Sequence, residues 1–193
     1  KHTALPQLNG HANGKVFMTV QEGYNAFHSD IDVFDFSING DTIGDLSVFT
    51  KNQSNSHLQH LKVYVDRGLL DSLRIEGELD YKSATQNYQL HAFLPPTDIK
   101  LFEPYLAGVF TKLSGKVFTT DSLHISGTFS DPVIKGGLEL KQINCLVDFL
   151  NAPLQFSAHI DVDRNQFSIQ PFAISDHKKG SGMVKAVFTH QSF

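Results

Sequence analysis

The chain has no tryptophan, two methionines and a single cysteine among its 193 residues. One cysteine, Cys145, excludes an internal disulfide framework and any zinc site built from cysteines, and it leaves the redox compartment open. An excess of positive charge is also missing. Sixteen Lys and Arg against twenty Asp and Glu give a net charge of −4, which removes the electrostatic footprint expected for nucleic acid or for an anionic membrane surface. No apolar run approaches the length needed to span a bilayer, and no signal-peptide block is present. The chain begins at Lys1 without a Met and reads as a segment of something longer.

Hydrophobic residues make up 40% of the chain, enough for a sizeable core, and the aromatics are lopsided towards sixteen Phe with five Tyr. Phe buries a large area with no polar atom to satisfy, so this bias points to a thick apolar face. Strand-period alternation dominates. Leu154, Phe156, Ala158, Ile160 and Val162 alternate with Gln155, Ser157, His159 and Asp161, the pattern of a strand with one buried and one wet face. Phe34, Phe36 and Ile38 repeat it, as do Leu61, Val63 and Val65, then Leu73, Ile75 and Leu79, then Leu123, Ile125 and Phe129.

Turn residues punctuate these runs at Asn13-Gly14, Asn39-Gly40-Asp41, Asp66-Arg67-Gly68, Asp131-Pro132, Asp163-Arg164-Asn165 and 176–182. They read as hairpin tips. About a dozen strands joined by short turns indicate an all-β antiparallel meander, since parallel strands would need helical crossovers. One interruption follows Leu94-Pro95-Pro96. Ile99, Phe102, Leu106, Val109, Phe110 and Leu113 fall at helical spacings, which predicts an amphipathic helix over 97–113 with Thr97 as N-cap and Pro104 starting or kinking it. The chain thus divides into a strand-rich half 1–96, the helix 97–113 and a second strand-rich half 114–193.

Chemistry-bearing residues do not converge. Ten histidines invite a metal reading, but His57 and His60 fall on opposite faces of a strand, and His91, His124 and His159 lie on polar phases, where solvent exposure is the expectation. The run from Asp161 to Asn165 resembles the opening of a calcium loop, yet the positions needing Gly and a bidentate Glu hold Gln166 and Phe172. Gly180-Ser181-Gly182 has neither the order of a phosphate loop nor that of a nucleophile elbow. Cys145 sits in an apolar stretch, where a buried, inert thiol is expected. The reading is of a non-enzymatic protein without metal or cofactor.

From Leu113 onward, an ordered series of residues resembles a known family. Leu113-Ser114-Gly115-Lys116-Val117, the run Leu123 to Pro132 containing Ile125-Ser126-Gly127-Thr128, and Gly136-Gly137-Leu138-Glu139-Leu140 are similar to the pattern of the TamB family of translocation and assembly proteins. Ile160-Asp161-Val162, Phe172 to Asp176 with Gly180 and Gly182, and the closing Val187-Phe188-Thr189-His190 with Phe193 resemble its following strands. The phrasing is that of members from Bacteroidetes-type bacteria. Agreement is looser upstream, around Ile75 to Tyr81.

This resemblance implies an elongated, half-open β-taco with an apolar groove, part of an inner-membrane-anchored protein in the Gram-negative periplasm. It implies phospholipid acyl chains as cargo, a TamA-like outer-membrane barrel protein as partner, and a role in outer-membrane biogenesis. The expected groove lining is Leu123, Ile125, Phe129, Leu138, Leu140, Leu154, Phe156, Ile160, Val162, Phe167, Ile169, Phe172 and Ile174, continued upstream by Leu73, Ile75 and Leu79. A closed core is the alternative for these residues. The alternative function is a scaffold that offers strand edges to nascent outer-membrane β-barrel proteins. A glycan-binding β-sandwich is a third possibility, disfavoured by the missing Trp.

Overall fold

The structure is a computed structural model that describes residues 7–21, 24–38, 40–52, 56–80, 87–106, 108–128, 131–164, 166–175 and 180–189. Its strands are β1 (Leu8–Gln21), β2 (Tyr24–Ile38), β3 (Asp41–Asn52), β4 (Leu58–Asp66), β5 (Arg74–Asp80), β6 (Tyr88–Phe93), β7 (Thr97–Asp98), β8 (Phe110–Thr119), β9 (Leu123–Thr128), β10 (Asp131–Val147), β11 (Ala152–Asp163), β12 (Gln166–Ser175) and β13 (Ser181–Thr189). They form an open antiparallel sheet, so the all-β fold that the alternation predicts is observed.

The chain divides into two compact units. The first comprises Lys1–Ala92 and Ile125–Asp131, with β1 to β6 side by side in chain order and the β9 residues next to β6. Directly opposed residues share a face of a sheet. The registers Ile31↔Val48, Val33↔Leu46, Val48↔Val63 and Val63↔Ile75 therefore gather one apolar face, while Lys62↔Glu76 and His60↔Glu78 sit on the other. The second unit, Phe93–His124 with Pro132–Phe193, pairs β8 with both β7 and β10 and continues through β11 and β12 to β13. It holds the buried cluster Ile99, Leu113, Val117, Ile143 and Cys145.

Period-2 patterning does not run unbroken through the long strands, and bulges restore it. In β10 the apolar phase is even at Leu138 and Leu140 but odd at Ile143, Cys145 and Val147. The ladder to β11 slips between Leu140 and Ile143, where Gln142 takes a φ of 53°. An extra residue in one strand returns the next apolar side chain to the same face and bends the strand. In β12 the switch from Phe167 and Ile169 to Phe172 and Ile174 is made across Gln170-Pro171, with the ladder to β13 slipping between Ile169 and Phe172 and the ladder to β11 between Ile169 and Ile174. Proline has no N–H to give a ladder and is at home in a bulge. Lys112 in β8 (φ 55°) and Asp35 in β2 (φ 53°) mark the same device.

Several local expectations are corrected. The helix over 97–113 is reduced to a 3₁₀ turn Ile99–Phe102 and a single α-helical turn, α1 (Glu103–Leu106), while Phe110–Thr119 is strand. Phe110 and Leu113 keep the three-residue spacing of a helix face, and in β8 the bulge at Lys112 lets them share a strand face instead; pairing of β8 with β10, which buries Leu113, decides between the two. Asp98, not Thr97, is the cap, its carboxylate accepting the Lys100 N–H at 3.0 Å, and Pro104 lies at the start of α1. The whole segment belongs to the second unit, which begins at Phe93.

Asn13-Gly14 is no hairpin tip: it lies inside β1, opposite Asp32 and Ile31. A Cβ on Gly14 would stand 2.3 Å from the Asp30 carbonyl oxygen, so this glycine serves close strand approach. Phe34 does not share the face of Phe36, because the bulge at Asp35 lies between them, and it is 42% exposed. Gly115 serves the β8 bulge region, with φ 121° and the Gln142 carbonyl oxygen 2.6 Å from the position of a Cβ.

The burial contrast within the second unit predicts where stability resides. Ile143, 1% exposed, should cost about 3 kcal/mol on truncation to Ala, within the range for a well-packed site. Half-buried Ile174 should cost less than half of that, with urea denaturation midpoints as the measurement.

Candidate functional site

The second unit brings most of the predicted groove residues onto one face. Register pairs Leu138 with Ile160, Leu140 with Ala158, Ile143 with Phe156 and Cys145 with Leu154 across β10 and β11. Across β11 and β12 it pairs Phe156 with Ile174, Ile160 with Ile169 and Val162 with Phe167. Phe172 lies opposite Val184 and touches Phe156, with ring centroids 5.0 Å apart and planes tilted by 43°. Of these predicted residues, only Val162 is fully buried, at 5% exposure, and the others are half-buried.

Cover over this face is graded. At the β8 and β10 side, Ile99, Leu113, Val117, Ile143 and Cys145 are buried, and Phe102, Leu106, Leu138, Leu140, Leu154 and Phe156 pack against them. Burial pushes the Cys145 thiol above its usual range, which keeps it protonated and unreactive. Towards β13 the cover thins. Val184 and Ala186 are half-buried, and Phe188, opposite Phe167, is 59% exposed. An apolar face that is closed at one side and bare at the other can take up an extended apolar group without rearranging its core.

In the first unit, Ile75 and Leu79 lie on β5 opposite Val63 and Gln59, half-buried. Leu73 falls in the turn before β5, its N–H donating to the Leu70 carbonyl at 2.9 Å. This face is not uniformly apolar: buried Ser29 bonds Thr50 through their hydroxyls at 2.7 Å. Leu123 and Ile125 lie half-buried on β9. Phe129 lies outside the described residues.

The opposite face of the second unit carries a polar constellation that strand phase alone did not reveal. His159 Nδ1 lies 2.7 Å from Glu139 Oε1 on β10, and its Nε2 lies 3.1 Å from Asp161 Oδ1 on its own strand, while Gln170 on β12 donates to the other Asp161 oxygen. His159 and Asp161 are two apart and so share a face, which the alternation already indicated. Glu139 arrives only through the register Glu139↔His159. The imidazole is thus engaged with two carboxylates. Hydrogen bonding to Glu139 raises its pKa above the ordinary 6.5, against a lowering by burial, with Asp161 raising it further. Hydrogen bonds from Gln170 and then His159 hold the Asp161 carboxyl below its ordinary range. His57, just before β4, pairs with Asp80 of β5, and His60 of β4 pairs with Glu78 of β5, each at 3.4 Å. Among the described residues, no group of three or more His, Cys, Asp or Glu is arranged to hold a metal ion.

Comparison of the chain with protein-family models, with curated proteins and with solved structures returns no match.

A second exposed feature is β1, which pairs on one side with β2 at the end of the strand order. Val16, Phe17, Met18 and Val20 are exposed there, Val20 at 71%. Val16 opposes Ser29 on one face, and Phe17 stacks on His28 on the other, centroids 6.2 Å apart. Long apolar edges of this kind template pairing with another strand. Among the described residues, no helix is long and apolar enough to cross a membrane.

The His159 constellation generates a pH dependence with a definite sign. A raised His pKa stabilises the fold when the imidazole is protonated, so that contribution is present below the ordinary value near 6.5 and is lost as pH rises through the folded pKa. The depressed Asp161 pKa contributes above the ordinary 3.8 and is lost as pH falls through the lower folded value. Stability to urea should therefore decline as pH rises from the ordinary imidazole value through the higher folded pKa in the native chain, and His159→Gln should flatten that decline.

Proposed function

We propose that this chain is a segment of a TamB-like protein that shields lipid acyl chains on an apolar sheet face during transport between the inner and outer membranes. The observation that carries this reading is the second unit's face, where Phe156, Ile160, Phe167, Ile169, Phe172 and Ile174 lie together and half-buried. An acyl chain in water faces about 0.8 kcal/mol per methylene, or on the order of 10 kcal/mol for fifteen carbons. Contact with an apolar face removes much of that penalty, while the headgroup stays in water and needs no dedicated site. The ordered series from Leu113 to Phe193 that resembles the TamB family supports the same reading. In that setting the segment works in the periplasm, with a TamA-like outer-membrane barrel protein as partner, and it acts by binding, without catalysis or cofactor.

Native mass spectrometry of the purified chain should detect co-purified phospholipid. Ile169→Asp and Phe172→Asp place a charge on the half-buried part of the face, outside the buried cluster. They should lower binding of a fluorescent fatty acid at least tenfold while far-UV circular dichroism still reports strand. Unchanged binding in both variants would count against the reading.

A second reading, the strand-edge scaffold for outer-membrane β-barrel assembly, is favoured by the exposed β1 edge with Val16, Phe17, Met18 and Val20. It predicts that a photo-crosslinker at Thr19 of β1 captures unfolded barrel protein and one at Ile169 does not. Acyl-chain shielding predicts lipid adducts at Ile169 instead.

A further inference from the structure

The segment Thr97 to Leu106 lies on the candidate face itself. It pairs briefly through Thr97 and Asp98 with Val117 and Lys116 of β8, then turns through Ile99–Phe102 into α1. Ile99 enters the buried cluster, and Phe102 and Leu106 pack against the same cluster as Leu138, Leu140, Leu154 and Phe156. Four of the predicted groove residues thus share their apolar surroundings with the chain's own apolar segment.

How this segment is fastened is specific. Glu103 accepts the Lys112 N–H through one carboxylate oxygen and the Leu113 N–H through the other, each at 3.2 Å. Both donors sit at the β8 bulge, where Lys112 has φ 55° and the ladder to β10 slips between Asn144 and Leu146. A bulge frees backbone donors from the ladder, and a carboxylate satisfies them with charge-assisted hydrogen bonds. On the far side, Gly108 adopts a left-handed φ of 87° with no atom within 4 Å of the position of a Cβ, and the Val109 N–H closes on the Leu106 carbonyl at 3.1 Å. On the near side stands Pro95-Pro96. The apolar turn is therefore bounded by a proline pair and a left-handed glycine, with one side chain carrying its polar attachment to β8.

We propose that Ile99–Leu106 is a gate that competes with a bound acyl chain for the patch formed by Leu138, Leu140, Leu154 and Phe156, and that Glu103 is the latch holding it closed. The proposal rests on the acyl-chain reading above and adds to it a stop. With the latch made, an acyl chain reaches the open side of the face at Ile169, Phe172 and Ile174 and ends against Phe102 and Leu106. With the latch broken, it extends over the patch.

The test uses the full chain and cis-parinaric acid as probe. Glu103→Ala should bind the probe about tenfold more tightly than the native chain, the scale set by losing hydrogen bonds to a charged group. Glu103→Gln, which keeps an acceptor but not the charge, should fall between them and serves if Glu103→Ala does not fold. Hydrogen exchange read by mass spectrometry should show faster exchange confined to residues 99–106, 112 and 113. Faster exchange there with unchanged affinity would overturn the gate and leave the acyl-chain reading standing. Equal loss of protection across β10 to β12 would show Glu103 to be a plain structural residue and would also overturn the gate. Absence of probe binding by the native chain and both variants would overturn the acyl-chain reading, and the gate with it.

Discussion

One-sided strands leave a sheet with an apolar face, and something has to cover it. Backbone hydrogen bonds join β10, β11 and β12 edge to edge but do nothing for the side chains that project from that face. A second sheet, a helix, the chain's own loops or a ligand are the available covers. In the second unit, a 3₁₀ turn and a single α-helical turn cover the β8 and β10 side, while towards β12 and β13 the face is half-buried or exposed. The buried core, the half-covered patch and the latch at Glu103 all follow from that partial cover.

Bulges make the face continuous. Without the extra residues at Gln142 and at Gln170-Pro171, Ile143 and Phe172 would point away from Leu140 and Ile169, and the apolar surface would break in the middle of each long strand. The two bulges flank β11 on either side of Ser157, whose hydroxyl accepts the Gln142 N–H at 2.9 Å. Each bulge also bends its strand, so the devices that hold side-chain phase also curve the surface they line. On the opposite face the same strands carry Glu139, His159, Asp161 and Gln170 in one hydrogen-bonded group, which ties three strands together next to the bulges.

Much of this is legible in the sequence. The alternation from Leu154 to Val162 is strand β11, and Asp163-Arg164 is the tip that follows it. The face of Ile160, Ile169, Phe167 and Val162 was implied by phase on either side of that tip. Where the reading went astray, two patterns competed. Residues 97–113 satisfied a helical period that β-pairing of Phe110–Thr119 overrode. Asn13-Gly14 carried turn chemistry that β1 uses for close approach. Phe34 shared a period with Phe36 that the bulge at Asp35 breaks.

Strand content, much of the polarity of the faces, and the tips at Arg67-Gly68 and Arg164 were thus determined by the sequence, because period-2 alternation and turn residues act over a few neighbours. Tertiary structure alone decided the rest. The partner of His159 depends on register across 20 residues, from Glu139 to His159. The length of the helical segment depends on whether β8 finds β10. Glu103 becomes a latch only because a bulge 9 residues away presents two free N–H groups to it. Each of these is a long-range pairing, and local pattern carries no information about which distant strand supplies the hydrogen bonds.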